Sequence, residues 1–171
     1  MASDVIRIDY KIPSDRIVPL SLSAIRPVYL AETVDLRKQD PCYVMKKISL
    51  SGGPATGNYM SEQPVAEILH KAVSKALEHA GNAKPKGEAD FCLSLKIIAL
   101  DFGVKVGFSQ CMLMGNIKVE VSVTEAITGN IVWEGPCEGT GRVGTGPLVQ
   151  RAFSTALDEL LLNLLACPGF K

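Results

Sequence analysis

The chain has 171 residues, enough for one domain with a proper core. Eighteen basic residues balance eighteen acidic ones, so its charge gives no reason to expect nucleic acid or an anionic membrane surface as a partner, while little self-repulsion opposes self-association. Hydrophobic residues make up 47% and charged residues 21%, ordinary usage for a globular domain, and no run reaches the roughly 18 apolar residues of a membrane span.

The opening "MASDVIRIDY" has no charged stretch followed by an apolar one, so it does not read as a signal peptide. Two readings are open: a cytoplasmic protein, or a processed domain carried on an added Met1-Ala2-Ser3 start. Residues 5–12, "VIRIDYKI", alternate, with Ile6, Ile8, Tyr10 and Ile12 on one side and Arg7, Asp9 and Lys11 on the other. That pattern predicts a half-buried strand. Pro13 and Pro19 make residues 13–23 extended or turning chain. Residues 27–37, "PVYLAETVDLR", and 43–50, "YVMKKISL", are the next strand candidates, and 51–58, "SGGPATGN", a loop.

The clearest helix starts at Pro64. Val65, Ile68, Leu69, Ala72, Val73, Ala76, Leu77 and Ala80 form one stripe at steps of three and four. Pro64 suits a first turn, Ser61 is placed to cap it, and Gly81-Asn82 ends it. Residues 89–102 alternate next, with Phe91, Leu93, Leu95, Ile97 and Ala99 on one face and Cys92, Ser94, Lys96, Ile98 and Leu100 on the other. Residues 116–124 set Ile117, Val119, Val121 and Val123 against Lys118, Glu120, Ser122 and Thr124, as in an antiparallel strand with one wet face. Thr128-Gly129-Asn130 reads as a tight turn into a further strand through Ile131 and Trp133, completing a meander. A second helix over residues 147–165 carries Leu148, Val149, Ala152, Phe153, Ala156, Leu157, Leu160, Leu161, Leu164 and Leu165 on one face. The order predicts an α+β fold: a two-layer sandwich of a mainly antiparallel sheet with two amphipathic helices packed on one face.

Gly139 to Gly144, "GTGRVG", fits the spacing G-x-G-x-x-G. A dinucleotide site also needs a second parallel strand and an acidic residue about 20 positions on. Only a helix and a short tail come after it, and Asp158 and Glu159 lie inside that helix. Pro136 also suits a central parallel strand poorly. These glycines therefore read as a partly exposed, extended strand end that lets the last helix fold back, with Thr140, Arg142 and Thr145 facing solvent.

Catalytic equipment is sparse. His70 and His79 lie nine residues apart on one helix, no serine sits in a G-x-S-x-G elbow, and Asp158-Glu159 are adjacent and diverge. Cys42, Cys92, Cys111, Cys137 and Cys167 lack zinc spacing and read mainly as small buried hydrophobes, with one disulfide open in an oxidising compartment. Cys111, Met112 and Met114 offer soft ligands for Cu(I), which a hydrophobic strand explains more simply. No catalytic, cofactor-binding or metal-ligating residue is assigned, and no cofactor is expected.

Four stretches are similar to the YajG-like bacterial envelope lipoproteins: "VYLAETVDLR" with its Asp35-Leu36-Arg37, "SEQPVAEILHKAVSKALEHAG", "EADFCLSLKIIALDF", and "GNIKVEVSVTEAITGNIVWEGPCEGTG". The resemblance spans roughly residues 24 to 165. It implies a strand and extended segment over residues 1–23, then a YajG-like domain over 24–171. It also implies a non-enzymatic cell-envelope lipoprotein domain at the periplasmic face, tethered by an N-terminal lipid outside this chain. Such a domain acts through contacts with an envelope protein or itself, at the sheet's wet face (Lys118, Glu120, Ser122) and sheet edges. The alternatives are an auxiliary component of an envelope export or ABC transport system, and a small Cys-dependent enzyme.

Overall fold

The computed structural model describes residues 3–12, 26–47, 57–106, 111–144 and 149–167. The expectations for residues 13–23, 48–56, Thr145, Pro147 and Leu148 fall largely or wholly outside these. The described elements are, in chain order, β1 (Asp4–Ile6), β2 (Val28–Asp35), β3 (Tyr43–Lys46), β4 (Asn58–Ser61), α1 (Val65–His79), β5 (Phe91–Val106), β6 (Cys111–Glu125), β7 (Ile131–Val143) and α2 (Val149–Leu165).

The main sheet has the order β2-β5-β6-β7. Its β5-β6-β7 part is the expected antiparallel meander, while β2 runs parallel to β5. α1 lies between β2 and β5 in the chain, and a helical return is the usual way to bring a second strand back in the same direction. The architecture is the expected α+β sandwich, with both helices contributing to one core against one face. A small sheet, β1-β4-β3, adds Val44 and Met45 to that core.

Both helical stripes bury as their spacing predicts: the stripe residues of α1 with Ala80 just past its end, and those of α2 from Val149 to Leu165. The caps differ in part. Gly81, at φ +75°, donates its N–H to the Glu78 carbonyl, and the Asn82 N–H reaches Leu77. That is a Schellman ending, as Gly81-Asn82 promised. Ser61 does not cap α1. It belongs to β4, its Oγ donating to the Cys42 and Gln63 carbonyls. Pro64 takes the N-cap position without a side-chain bond, and the Val65 N–H instead donates to the Pro41 carbonyl.

Three strands depart from the pattern. The N-terminal alternation is real, since Ile6, Ile8, Tyr10 and Ile12 are half-buried against the core. Only Asp4–Ile6 finds a ladder, however, pairing with β4. β4 carried no sequence signal, because four residues beside a glycine-rich loop become a strand only through β1 and β3. In β5 a bulge falls between Ile97 and Ala99. One extra residue swaps the two faces beyond it, so Leu100 turns inward and Ala99 leaves the core.

Candidate functional site

The glycine stretch is strand as far as Val143, as expected. Gly139 and Gly141 are inward-facing, buried residues of β7, opposite Ile117 and Gly115 of β6. A Cβ on Gly141 would stand 2.0 Å from the Ala152 carbonyl oxygen, and one on Gly139 2.1 Å from that of Ala156 and 2.3 Å from the Leu160 nitrogen. The helix backbone lies directly on the strand, with alanines on one side and glycines on the other. No phosphate-sized space remains at these two positions. The segment is the extended, partly exposed strand end that was expected: Gly139 and Gly141 are buried, Thr140 and Arg142 are exposed as read, and Gly144 is exposed too.

This close approach brings the polar flank of α2 to the outer edge of β7. Glu159 accepts the Thr140 N–H at 3.0 Å and its hydroxyl at 2.7 Å. One turn later Asn163 donates to the Glu138 carbonyl at 2.8 Å. Side chains therefore occupy backbone groups that an edge strand otherwise offers to a second chain. Pro136 fits the same edge, where a missing N–H breaks no ladder. Asp158 turns the other way and accepts the Tyr10 hydroxyl at 2.6 Å. The adjacent carboxylates do diverge. Burial of the Tyr10 ring and this carboxylate together push its phenol well above the ordinary tyrosine range.

The Asp35-Leu36-Arg37 stretch has a structural job. Arg37 grips Asp35 through Nε and Nη2 at 2.9 and 2.6 Å, and donates Nη1 to the Tyr43 carbonyl at 2.9 Å. Its side chain is 2% exposed. A bidentate fork with a further carbonyl ties the end of β2 to the start of β3.

The remaining candidates do not converge. His70 Nδ1 lies 3.2 Å from Thr33 Oγ1 in a groove of about 670 Å³ between β2 and α1, which Tyr29, Pro64 and Glu67 also line. His79, the last residue of α1, lies about 13 Å further along the helix. Cys111 and Met112 are neighbours on β6 and so point to opposite faces. Among the described residues no three His, Cys, Asp or Glu side chains gather to hold a metal. Nor is any helix among them long and apolar enough to cross a membrane.

The face of the main sheet away from the helices is open. It carries Lys118, Glu120 and Ser122, and Lys96 on β5 faces Glu120 across the ladder at 3.6 Å. Beside this pair sits an aliphatic strip that the sequence pattern alone did not single out. Val34 pairs in register with Lys96, Leu36 lies two residues on, and Ile98 is the extra residue of the β5 bulge. They are 44, 52 and 42% exposed. The available signal was Val34 and Leu36 alternating with Asp35, the wrong parity for a strand whose other face is buried.

Neither a family model nor a curated protein matches the sequence. Solved structures share the fold. Protein XCC0632 from Xanthomonas campestris, of family model DUF330, is 15% identical with a TM-score of 0.63, covering 95% of this chain and 92% of its own. An uncharacterised protein is 10% identical with a TM-score of 0.58, covering 97% of both chains. The hypothetical protein CT253 from Chlamydia trachomatis is 9% identical with a TM-score of 0.53, covering 84% of this chain and 95% of its own. At such identities the likeness is one of architecture.

Proposed function

We propose that this chain is the non-enzymatic domain of a bacterial cell-envelope lipoprotein, acting through protein contacts made by the open face of its main sheet. The observation that carries the contact reading is the strip Val34, Leu36 and Ile98 beside the Lys96–Glu120 pair. It sets apolar surface next to charges of both signs, the composition of a specific contact with a polar rim. The envelope assignment rests on the YajG-like stretches, and the shared architecture with the DUF330 protein is compatible with it. In this reading residues 24–171 form the body, residues 1–23 its leading strand and extended segment, and a lipid on the full-length gene product holds it at the periplasmic face.

Two measurements test this. Metabolic labelling with a fatty acid, then envelope fractionation, should find the full-length product lipidated and membrane-bound. An unlabelled, cytosolic product overturns the envelope assignment. A photocrosslinking residue at position 98 should trap a protein adduct in cells, while one at Lys75 on α1 should not. Leu36→Glu should remove that adduct without changing the circular dichroism. Equal adducts at positions 98 and 75, or none at 98, overturn the contact reading.

A further inference from the structure

Cys137 and Cys167 meet where the last turn of α2 crosses β7. Cys137 is an inward-facing, buried residue of β7, and its thiol donates to the Leu160 carbonyl at 3.8 Å. Cys167, buried just past the helix, donates to the Asn163 carbonyl at 3.3 Å. Leu160 and Asn163 are neighbours along one helical face. Asn163 also donates to the carbonyl of Glu138, the residue after Cys137. These three contacts fix both thiols around one turn of helix.

We propose that Cys137 and Cys167 form a disulfide on exposure to a small-molecule disulfide oxidant, clamping the C-terminal end of α2 onto β7. The inference stands on the thiol geometry, independently of where the protein resides.

The chemistry divides between the two sulfurs. The Cys137 S–H favours the thiolate of Cys167, while its neighbour and burial hold Cys137 protonated. Cys167 therefore attacks first. Its thiolate bonds to one sulfur of oxidised glutathione, and the S–S bond of the oxidant breaks to release one glutathione. Cys137 then gives up its proton and attacks the Cys167 sulfur of the mixed disulfide, releasing the second glutathione. Two protein thiols are oxidised, one glutathione disulfide is reduced, and the two protons leave on two glutathione thiols. Cys42, Cys92 and Cys111 are partly exposed, and each lies on a different strand or turn from this pair. The oxidant can cap those three, which leaves a glutathione adduct in place of a cross-link.

The test uses the unmodified chain, incubated with oxidised glutathione, acid-quenched, alkylated in denaturant and mapped by proteolysis and mass spectrometry. The expected product is a peptide pair joined between residues 137 and 167, about 2 Da below the sum of its reduced halves, absent after dithiothreitol. The oxidised chain should unfold at a higher urea concentration than the reduced one, and Cys167→Ser should give no linked pair. Glutathione adducts without a 137–167 link, an adduct that stalls on Cys167, or a link to another cysteine overturns the proposal. A 137–167 link that leaves the urea midpoint unmoved overturns the clamp.

Discussion

Replacing Gly141 by alanine tests the contact on which the helix layer depends. The new Cβ stands 2.0 Å from the Ala152 carbonyl oxygen and 2.8 Å from the Ala156 nitrogen. An ordinary contact lies near 3.5 Å, so strand and helix must separate by about 1.5 Å. Both obstacles are backbone, so no rotamer change relieves them. If α2 lifts, Ala152, Phe153, Ala156 and Leu157 lose contact with β6 and β7, because a gap of even 1 Å forfeits up to about half of a dispersion well. If the end of β7 peels away instead, the ladder from Gly141 to Val143 opposite Leu113, Met114 and Gly115 is lost, at about 1 kcal/mol per hydrogen bond. Either route puts the cost at the upper end of overpacking, about 3 kcal/mol.

Gly103→Ala is the control. It also lies in a strand, but nothing stands within 4 Å of its Cβ, so the change should be neutral or stabilising by up to about 1 kcal/mol. Urea unfolding monitored at 222 nm and by the single tryptophan, Trp133, measures both. A Gly141→Ala variant within about 0.5 kcal/mol of Gly103→Ala would refute the packing argument.

Four further outcomes are expected. Arg37→Ala leaves Asp35 without its fork and should cost about 3 kcal/mol, with Arg37→Lys recovering less than half, since an ammonium cannot make the bidentate pair; equal stability of the Lys variant and the parent in urea contradicts this. The Tyr10 phenol is raised in the folded chain above its unfolded value of about 10, so its contribution is fully present below pH 10 and is lost as pH climbs beyond. Tyr10→Phe should lower stability by about 1 kcal/mol at pH 7 and flatten the alkaline fall in Tm, whereas parallel pH profiles argue against a folded-state shift. The double change Glu159→Ala and Asn163→Ala bares the β7 edge and should raise the sedimentation coefficient at high protein concentration; an unchanged monomer shows that the edge needs no guard. NAD or ATP at millimolar concentration should leave Tm unmoved, and a rise would restore the nucleotide reading.

The two-layer arrangement is legible in the sequence because its periodic segments are long. The α1 and α2 stripes and the alternation of β6 each repeat one spacing often enough to choose a single buried face. What was lost was whatever another strand decides. β4 exists through β1 and β3, and the β5 bulge comes from how β5 registers against β6. Both are pairing facts with no local residue signature. The open aliphatic strip was also a pairing fact: alternation already put Ile98 on the Lys96 face, but only the register of β2 on β5 sets Val34 beside Lys96. The Asp35–Arg37 fork was legible as a motif and illegible as a clamp, because its other acceptor, the Tyr43 carbonyl, arrives from the next strand.

The glycine spacing shows how one pattern serves two physical demands. A nucleotide loop uses glycines so that backbone can approach a phosphate. Here Gly139 and Gly141 let backbone approach backbone, and their spacing of two is the pleat of a strand, which sends alternate residues to the same face. The helix answers at Ala152, Ala156 and Leu160, steps of four on the row that crosses them. Gly144 takes no part, since nothing lies within 4 Å of its Cβ. The distinguishing feature is therefore the periodicity of the segment after the glycines. Small residues every four positions on the next helix mark a strand on which that helix lies flat. A second strand ending in an acid would have marked a cofactor. Because α2 lies so close, Glu159 and Asn163 reach the β7 edge, and the close packing that fixes the layer also closes that side of the sheet.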